Sequence, residues 1–283
     1  MELLRYTAFS TTEDGGNPAG VVLDATGTSD SDMLATAAEL GYSETAFATP
    51  EGPGRLAVRY FSPLVEVPFC GHATIALAVA HAERHGVGEL LLRTQAGPVR
   101  VKTERDGGLL RATLVSVPPR TAPITPADLD RLLAALRWER SDLDPALPPA
   151  AAYAGAWHPV IAAASRERLA RLDYDLPVLG ELMAERDWAT VDLVWRESAS
   201  VFHCRNPFPP GGVVEDPATG AAAAALGGYL RELDLAPLPH RMAVRQGEDM
   251  GRPSLIEVEV PADREAGIAV SGCAVRLTGP AHG

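Results

Sequence analysis

The chain has 283 residues, of which 46% are hydrophobic, and its formal net charge is −12. The length suits two domains of ordinary size, and an acidic chain without a basic stripe is not expected to bind nucleic acid. No apolar run approaches the roughly 20 residues that span a bilayer, and the first residues lack the apolar core of a signal peptide. We therefore predict a cytoplasmic protein without a membrane partner.

The cysteine and lysine content limits the chemistry. Cys70, Cys204 and Cys273 are too few, and odd in number, for a disulfide framework. Lys102 is the only lysine, and it lies in a charged segment typical of the end of a hairpin. Because a pyridoxal phosphate enzyme needs a Schiff-base lysine, the sequence predicts proton chemistry without that cofactor.

The first part of the chain is predicted to be rich in strands, with two helices. Apolar and alternating runs predict strands at residues 3–9, 19–23, 43–49, 56–62, 65–70, 90–94, 99–103 and 109–117. A short helix is predicted at residues 31–40, where Asp30 or Ser31 can cap the start and Gly41 can end it. A longer helix is predicted at residues 71–84, with Gly86 as its end.

The second part begins where Pro118 and Pro119 interrupt the strand pattern. This break predicts one domain at residues 1–118 and another at residues 119–283. Helices are predicted at residues 126–136, with Thr125 as N-cap, and at 166–172, 177–186 and 220–233. Strands are predicted at residues 157–163, 191–195, 200–205, 255–260 and 268–275.

Two of the predicted helices share an unusual composition. The helices that start at Gly71 and Gly220 are rich in alanine and carry almost no charge for three turns. A helix of this kind should be enclosed on all sides, and strands that curl round it form a barrel. We predict an α+β fold in which two similar units each wrap a curved sheet or barrel around one central helix.

An ionisable side chain lies beside the start of each central helix, where backbone N–H groups have no partner within the helix. His72 lies at the first start and Asp216 at the second, a pattern typical of a carboxylate-binding site with acid/base residues. A neutral His72 can donate or accept a proton, but a histidine bonded to a loop would show the same pattern. Asp216 precedes a proline, and a plain helix N-cap explains it equally well.

Other candidates come from loops and strand ends. Glu44 lies between polar turn residues and an apolar strand, a position that suits a general base, although the local sequence favours a solvated strand end. Asn17 is a turn residue that could also bind a polar substrate group. Cys70 at a helix start could be a thiolate base, although a small buried residue is the simpler interpretation.

A metal site is not expected from the sequence. Cys70 and His72 are close in sequence, but His81 would lie on the opposite face of the helix from His72. His81 and His85 are one turn apart, yet the segment lacks the glutamate directly after the first histidine that zinc proteases have.

These motifs together resemble the PhzF-like family, named for phenazine biosynthesis, within the diaminopimelate epimerase superfamily. The matching segments follow the family's order: Gly16-Asn17-Pro18-Ala19, Ser43-Glu44-Thr45, Phe61-Ser62-Pro63, residues 68–73, residues 215–220 and residues 247–253. The resemblance implies two similar domains with an active site in the cleft between them. It also implies a cofactor-free enzyme, commonly a homodimer, that acts on a small molecule.

The resemblance also implies roles for individual residues. Glu44 would remove and return a carbon-bound proton of a small conjugated carboxylate, while His72 and Asp216 hold and polarise it. Polar substrate groups would be bound by Asn17, Ser43, Gly71, Thr219, Gly220 and Ala221. The family often has serine where this chain has Ala221, so a hydrogen bond to the phenazine precursor would be missing.

Four functions stay open at this point. The first is a cofactor-independent isomerase of a secondary-metabolite pathway that uses Glu44. The second is a related enzyme of the alkylproline type, which cleaves or isomerises a carbon–carbon framework. The third is an amino-acid epimerase, although the second helix start has Thr219 in place of a second cysteine that could pair with Cys70. The fourth is a catalytically silent ligand-binding protein.

Overall fold

The computed structural model describes residues 1–279 and divides the chain into two compact units. The first unit comprises Met1–Val115 together with the chain from Ser271 onward, and the second comprises Ser116–Val270. The first division lies three residues before the end of the predicted domain 1–118. The sequence assigned the last strand to the second domain, whereas its residues from Ser271 pair with strands of the first unit. Residues 280–283 of the predicted second domain lie outside the described residues.

The elements follow one another along the chain with short connections. The strands are β1 (Leu4–Ala8), β2 (Asn17–Val22), β3 (Glu44–Gly52), β4 (Arg55–Phe61), β5 (Glu66–Val67), β6 (Glu89–Thr94), β7 (Gly97–Asp106), β8 (Leu109–Val115), β9 (Arg120–Pro123), β10 (Ala150–Tyr153), β11 (Trp157–Ala162), β12 (Asp192–Arg196), β13 (Val201–Phe208), β14 (Val213–Asp216), β15 (His240–Gln246), β16 (Ser254–Val260) and β17 (Ala269–Arg276).

The helices are α1 (Asp30–Leu40), α2 (Gly71–His85), α3 (Pro126–Leu136), α4 (Arg166–Ala170), α5 (Leu176–Arg186) and α6 (Gly220–Glu232). Within residues 1–279, none of them has the length and apolar character that crossing a membrane requires. The predicted N-cap Thr125 is confirmed, since its Oγ1 accepts a hydrogen bond from the Asp128 N–H. Helix α1 is instead capped by Ser29, and Gly41 ends it in the left-handed conformation, where glycine is favoured.

The first unit is a closed eight-stranded barrel. Its strands pair in the order β1, β2, β3, β4, β6, β7, β8 and β17, and β17 pairs back to β1. Helix α2 passes through the barrel, and every residue from His72 to Ala80 is buried. Closure removes exposed strand edges, and the small side chains of α2 let the strands approach it on all sides.

The second unit wraps a run of seven strands around α6. These strands pair in the order β9, β10, β11, β12, β13, β15 and β16. Helix α6 packs against strands from both ends of the run, β9 and β10 at one end and β16 at the other. A Cβ on Gly228 would lie 2.3 Å from Cβ of Pro119, so only glycine allows this close approach.

The two units repeat one topology. In the first, the parallel pairs β2–β3 and β4–β6 are separated by an antiparallel hairpin, and α2 crosses between β4 and β6. In the second, the parallel pairs β11–β12 and β13–β15 are arranged in the same way, and α6 crosses between β13 and β15. Each central helix also follows a short strand, β5 or β14, that pairs with the strand before it. Position-by-position comparison of the units is therefore justified.

Several strands of the second unit have no counterpart among the predicted elements. β9 and β14 have four residues each, and β9 follows the prolines that were interpreted as a break. β10 begins with three alanines, which carry little strand signal on their own. β15 was missed although His240–Gln246 alternates between buried and less buried residues, which is a period-two signal.

Candidate active site

One end of the first barrel collects the amino ends of three elements. Because β2 and β3 are parallel neighbours, Asn17 and Glu44, their first residues, lie at the same edge of the barrel. Helix α2 starts at this edge too, and its second residue is His72. The chain places Ser43 directly before β3 and Cys70 directly before α2. Five side chains from separate parts of the sequence therefore meet at one place.

His72 is the centre of this group. Its imidazole is buried, with Nδ1 3.2 Å from Nδ2 of Asn17 and Nε2 3.2 Å from Oγ of Ser43. An amide N–H of Asn17 that donates to Nδ1 leaves the proton of a neutral imidazole on Nε2. On that side of the ring, Nε2 lies 3.4 Å from Oε2 of Glu44. Asn17 thus orients the histidine so that Nε2 faces the hydroxyl of Ser43 and lies near the carboxylate of Glu44.

Glu44 receives a second neighbour from Cys70. The Cys70 thiol lies 3.4 Å from Oε2 of Glu44, the oxygen that is also near His72, and can donate to it. The Cys70 sulfur is also 3.4 Å from Nδ1 of His72. The side chain of Glu44 is 15% exposed, against 7% for His72. Glu44 is therefore more accessible than His72 to a small molecule. The imidazole of His72 and the thiol of Cys70 lie beside its carboxylate.

The backbone at the start of α2 also contributes to the electrostatics of this site. Cys70 is the N-cap residue in extended conformation, and its own side chain makes no capping hydrogen bond. Backbone N–H groups and the helix dipole favour negative charge here. A Cβ placed on Gly71 would meet no atom within 4 Å, so packing does not require glycine at this position. Gly71 instead leaves open space over the N–H groups.

The start of α6 carries a different cluster, made of hydrogen bonds between uncharged and charged polar groups. Oγ1 of Thr219 donates to Oδ2 of Asp216 at 2.6 Å. Gln246 joins both residues, since its Nε2 donates to the Asp216 carbonyl at 2.7 Å and its Oε1 accepts from the Thr219 N–H at 3.0 Å. Gly220, the first helical residue, is buried, and Ala221 after it is partly buried. This cluster holds the helix start rigidly.

The loop after β15 supports the same cluster. Ser254 donates to the Pro217 carbonyl at 2.9 Å. Gly247 has a φ of 76°, and a Cβ there would lie 2.2 Å from the Arg252 carbonyl oxygen. Glu215, next to Asp216, forms a buried ion pair with Arg205, whose Nε donates at 2.9 Å. Glu215 is thereby committed to an ion pair within the fold.

The structure brings the sequence-predicted residues into two groups, one in each unit. Asn17, Ser43, Glu44, Gly71 and His72 form the first, and Asp216, Thr219, Gly220 and Ala221 form the second. The sequence missed Gln246, whose only signal was an amide at the end of an alternating strand before Gly247. It also favoured a packing role for Cys70, which here lies within hydrogen-bonding distance of Glu44.

A further polar network lies inside the second unit. Nδ1 of His158 is 2.8 Å from Oγ1 of Thr190, which donates to Asn206 Oδ1 at 2.6 Å. Asn206 in turn donates to Oδ1 of Asp192 at 3.1 Å. Burial raises the pKa of Asp192 to about 7, against the smaller opposing effect of the Asn206 hydrogen bond. Burial lowers the pKa of His158 to about 4. Both groups are therefore mainly neutral between pH 4 and about 7.

Comparison with known protein families gives one match over nearly the whole chain. The family model for phenazine biosynthesis-like proteins, PhzC-PhzF, matches residues 6–279. An uncharacterized isomerase of Deinococcus radiodurans is 36% identical and is aligned over 94% of this chain and 90% of its own length. A trans-2,3-dihydro-3-hydroxyanthranilate isomerase of Pseudomonas chlororaphis is 32% identical, over 94% and 93%.

Solved structures confirm the predicted fold. The Bacillus anthracis phenazine biosynthesis protein of the PhzF family superposes with a TM-score of 0.87, at 24% identity and 98% coverage of both chains. A probable proline racemase from Agrobacterium radiobacter superposes with a TM-score of 0.65, at 15% identity and with 97% of this chain and 90% of the other covered. The fold in which each unit encloses one central helix with curved strands is thus shared with these solved structures.

Proposed function

The chain belongs to the phenazine biosynthesis-like family and is an isomerase of that family, and on this premise we propose that Glu44 moves a proton between carbon atoms of a small conjugated carboxylate. The observation that carries the proposal is the position of the Glu44 carboxylate. It is partly exposed, it lies beside the start of α2, and its Oε2 lies 3.4 Å from Nε2 of His72 and 3.4 Å from the Cys70 thiol, which can donate to it.

The first step follows from this geometry. An ionised Glu44 accepts a proton from an activated C–H bond of the substrate, and the electron pair of that bond moves into the conjugated system. The negative charge that develops on the substrate is stabilised by the N–H groups at the start of α2, where Gly71 leaves room for a close approach. The protonated Glu44, whose partly exposed carboxyl can exchange its proton with water, then delivers a proton to a different carbon, so atoms and charge balance without a cofactor.

His72 and Cys70 are proposed to keep Glu44 ready for this task. The Cys70 thiol can donate a hydrogen bond to Oε2, and Nε2 of His72 lies 3.4 Å from the same oxygen. Asn17 sets the direction of the imidazole N–H, and Ser43 is the second polar group near Nε2. These residues position the carboxylate, and the carbon-bound proton is handled by Glu44 itself.

The family resemblance assigns Asp216, Thr219, Gly220 and Ala221 to the binding of the same substrate, and this assignment is part of the proposal. The hydrogen bond from Thr219 to Asp216 supports a rigid carboxylate at the start of α6. Ala221 carries no hydroxyl group, so we expect a substrate other than the one named for the Pseudomonas chlororaphis relative. Cytoplasmic location and a homodimer stay predictions.

The isomerase proposal is tested by proton exchange. Candidate carboxylates, including trans-2,3-dihydro-3-hydroxyanthranilate, are incubated with the protein in D₂O, and deuterium at carbon is measured by NMR. Wild-type protein should incorporate deuterium into its substrate, and Glu44→Gln should reduce the rate by about a thousand-fold, the range of a lost general base. Glu39→Gln, which makes the same chemical change at an exposed position of α1, is the matched control.

Two outcomes would contradict the proposal. Unchanged exchange in Glu44→Gln, with the control also active, would exclude Glu44 as the base. Release of a second fragment from the substrate would instead favour cleavage of a carbon–carbon bond.

A further inference from the structure

We propose that Glu44, Cys70 and His72 form a binding site for a thiophilic divalent cation, with Zn²⁺ as the ion that fits it best. Each residue offers one ligand atom, and these atoms lie within 4.8 Å of one another. The three residues come from two segments, the first residue of β3 and the start of α2. In the sequence only Cys70 and His72 lie close together, because Glu44 precedes the cysteine by 26 residues.

The distances between the ligand atoms match a tetrahedral zinc ion. Oε2 of Glu44 lies 3.4 Å from Sγ of Cys70 and 3.4 Å from Nε2 of His72. Sγ of Cys70 lies 3.8 Å from the same Nε2. Zinc–ligand bonds of 2.0–2.3 Å at tetrahedral angles separate ligand atoms by about 3.3–3.6 Å. An ion can therefore be bound with shifts of only a few tenths of an ångström.

The chemistry of the donor set selects the metal. A thiolate and an imidazole prefer zinc and similar ions over Mg²⁺ and Ca²⁺, which favour sets of oxygen ligands. Three protein ligands leave a fourth tetrahedral position for water or for a substrate carboxylate. The partial exposure of Glu44 gives the ion a route to the site.

Asn17 can support either state of the histidine. For proton transfer, its amide N–H donates to Nδ1 of His72 and leaves the N–H on Nε2. For metal binding, Nε2 must be free of its proton, and Nδ1–H donates instead to the amide oxygen of Asn17 after a rotation of the amide. A hydrogen-bonded neighbour of this kind is the usual second partner of a metal-bound histidine.

Metal binding and proton transfer exclude each other at this site. Binding displaces the proton of the Cys70 thiol and occupies the Glu44 carboxylate, so one proton is released for each ion bound. A bound ion therefore inhibits the proposed isomerase. The inhibition rests on the proposed function, whereas the binding does not.

Cobalt substitution tests the binding without any substrate. Co²⁺ is added to the protein freed of metal by a chelator, and the near-ultraviolet band of a cobalt–thiolate bond is recorded. Wild-type protein should show this band at one ion per chain, and Zn²⁺ should displace the cobalt. Calorimetry of Zn²⁺ binding in buffers of different ionisation enthalpy should show one proton released.

Three variants identify the ligands. Cys70→Ala should lose the thiolate band and bind Zn²⁺ at least a hundred-fold more weakly. Cys273→Ala, which removes a half-buried thiol on β17 of the same unit, should leave the band and the affinity unchanged. Glu44→Gln should retain the band and bind at least ten-fold more weakly, and it replaces Cys70→Ala as the decisive variant if circular dichroism shows that the latter is unfolded.

The proposal is overturned if wild-type protein shows no thiolate band with Co²⁺, or if the band persists in folded Cys70→Ala. It is also overturned if Glu44→Gln binds Zn²⁺ as tightly as wild type. These outcomes are separate from those of the deuterium experiment. Exchange that depends on Glu44 together with no cobalt binding would remove the metal site alone, and the reverse result would remove the isomerase assignment alone.

Discussion

Glu44 and Asp192 occupy equivalent positions in the two units, and their surroundings differ sharply. Each is the first residue of a strand that runs parallel to its neighbour, β3 beside β2 and β12 beside β11. The register pairs Glu44 with Ala19 and Asp192 with Val160. Two residues before these partners lie Asn17 and His158, so each unit has a polar group at the same register position relative to its carboxyl.

The two carboxyl groups differ in how far neighbouring residues cover them. Glu44 lies beside the start of α2, is partly exposed and is 3.4 Å from two polar groups of that helix start, the His72 imidazole and the Cys70 thiol. Asp192 is 1% exposed, and its polar neighbour Asn206 comes from an adjacent strand. The repeated topology therefore places a carboxyl group at the same position in both units. Only the carboxyl of the first unit, Glu44, is exposed enough for a substrate to reach it.

The largest expected effect is a difference in deuterium exchange rate between variants of the two carboxyl groups. Asp192→Asn should retain deuterium exchange within about two-fold, because the residue is enclosed and its hydrogen bond from Asn206 can be made to an amide oxygen. Glu44→Gln should lose about a thousand-fold, the contribution of a general base. The exchange rates of both variants are measured side by side with the same substrate. An inactive Asp192→Asn would contradict the proposed difference between the two carboxyl groups.

The second effect concerns stability between pH 4 and 6.5. The folded-state pKa of Asp192 is raised by burial to about 7, so its stabilising contribution is present at low pH and is lost as pH rises to about 7. The pKa of His158 is lowered by burial to about 4, so its contribution is lost as pH falls from 6.5 to about 4. Over the shared window the two contributions oppose each other.

Replacing either group should therefore reveal how the other group makes the free energy of unfolding depend on pH. Asp192→Asn should become less stable as pH falls, by up to about 1.4 kcal/mol per pH unit, since one proton separates the folded and unfolded states. His158→Asn should show the opposite slope, with stability falling as pH rises from 4 towards 7. Urea unfolding at several pH values measures both. Slopes of the same sign in the two variants would contradict the assignment of neutral forms.

The third effect concerns stability and compares Gly71 at the start of α2 with Gly247 in the loop that supports the start of α6. Gly247→Ala should destabilise the fold by about 2 kcal/mol or more, because it combines a left-handed backbone with a close carbonyl oxygen. Gly71→Ala should not lower thermal stability, since a Cβ there meets nothing within 4 Å. Its methyl group should instead slow deuterium exchange. A large loss of stability in Gly71→Ala would show that this glycine serves packing.

The smallest effect tests whether the second helix start takes part in the reaction. Asp216→Asn keeps the shape of the side chain and removes its charge, so we expect about a ten-fold loss in kcat/KM, the value of one charge-assisted hydrogen bond. Thermal unfolding should be little changed, because Gln246 still holds Thr219 and the Asp216 carbonyl. Unaltered exchange kinetics would remove Asp216 from the proposed site.

The sequence by itself determined the repeated architecture. Alanine-rich segments at Gly71 and Gly220 predicted two enclosed helices, because side chains this small and uncharged gain nothing from water and allow strands to approach. The caps Thr125 and Gly41 marked helix ends through local hydrogen bonding and backbone preference, which need no tertiary contact. Motif order was enough to select Asn17, Ser43, Glu44, His72 and Asp216.

Only the tertiary structure decided which of these groups meet. Asn17, Glu44 and His72 are brought together because β2, β3 and α2 all begin at one edge of a closed barrel, and this depends on strand pairing across the whole unit. The distances from Cys70 to Glu44 and the role of Gln246 follow from the same pairing. Burial is likewise a property of the packed chain, so no local pattern could distinguish the open Glu44 from the enclosed Asp192.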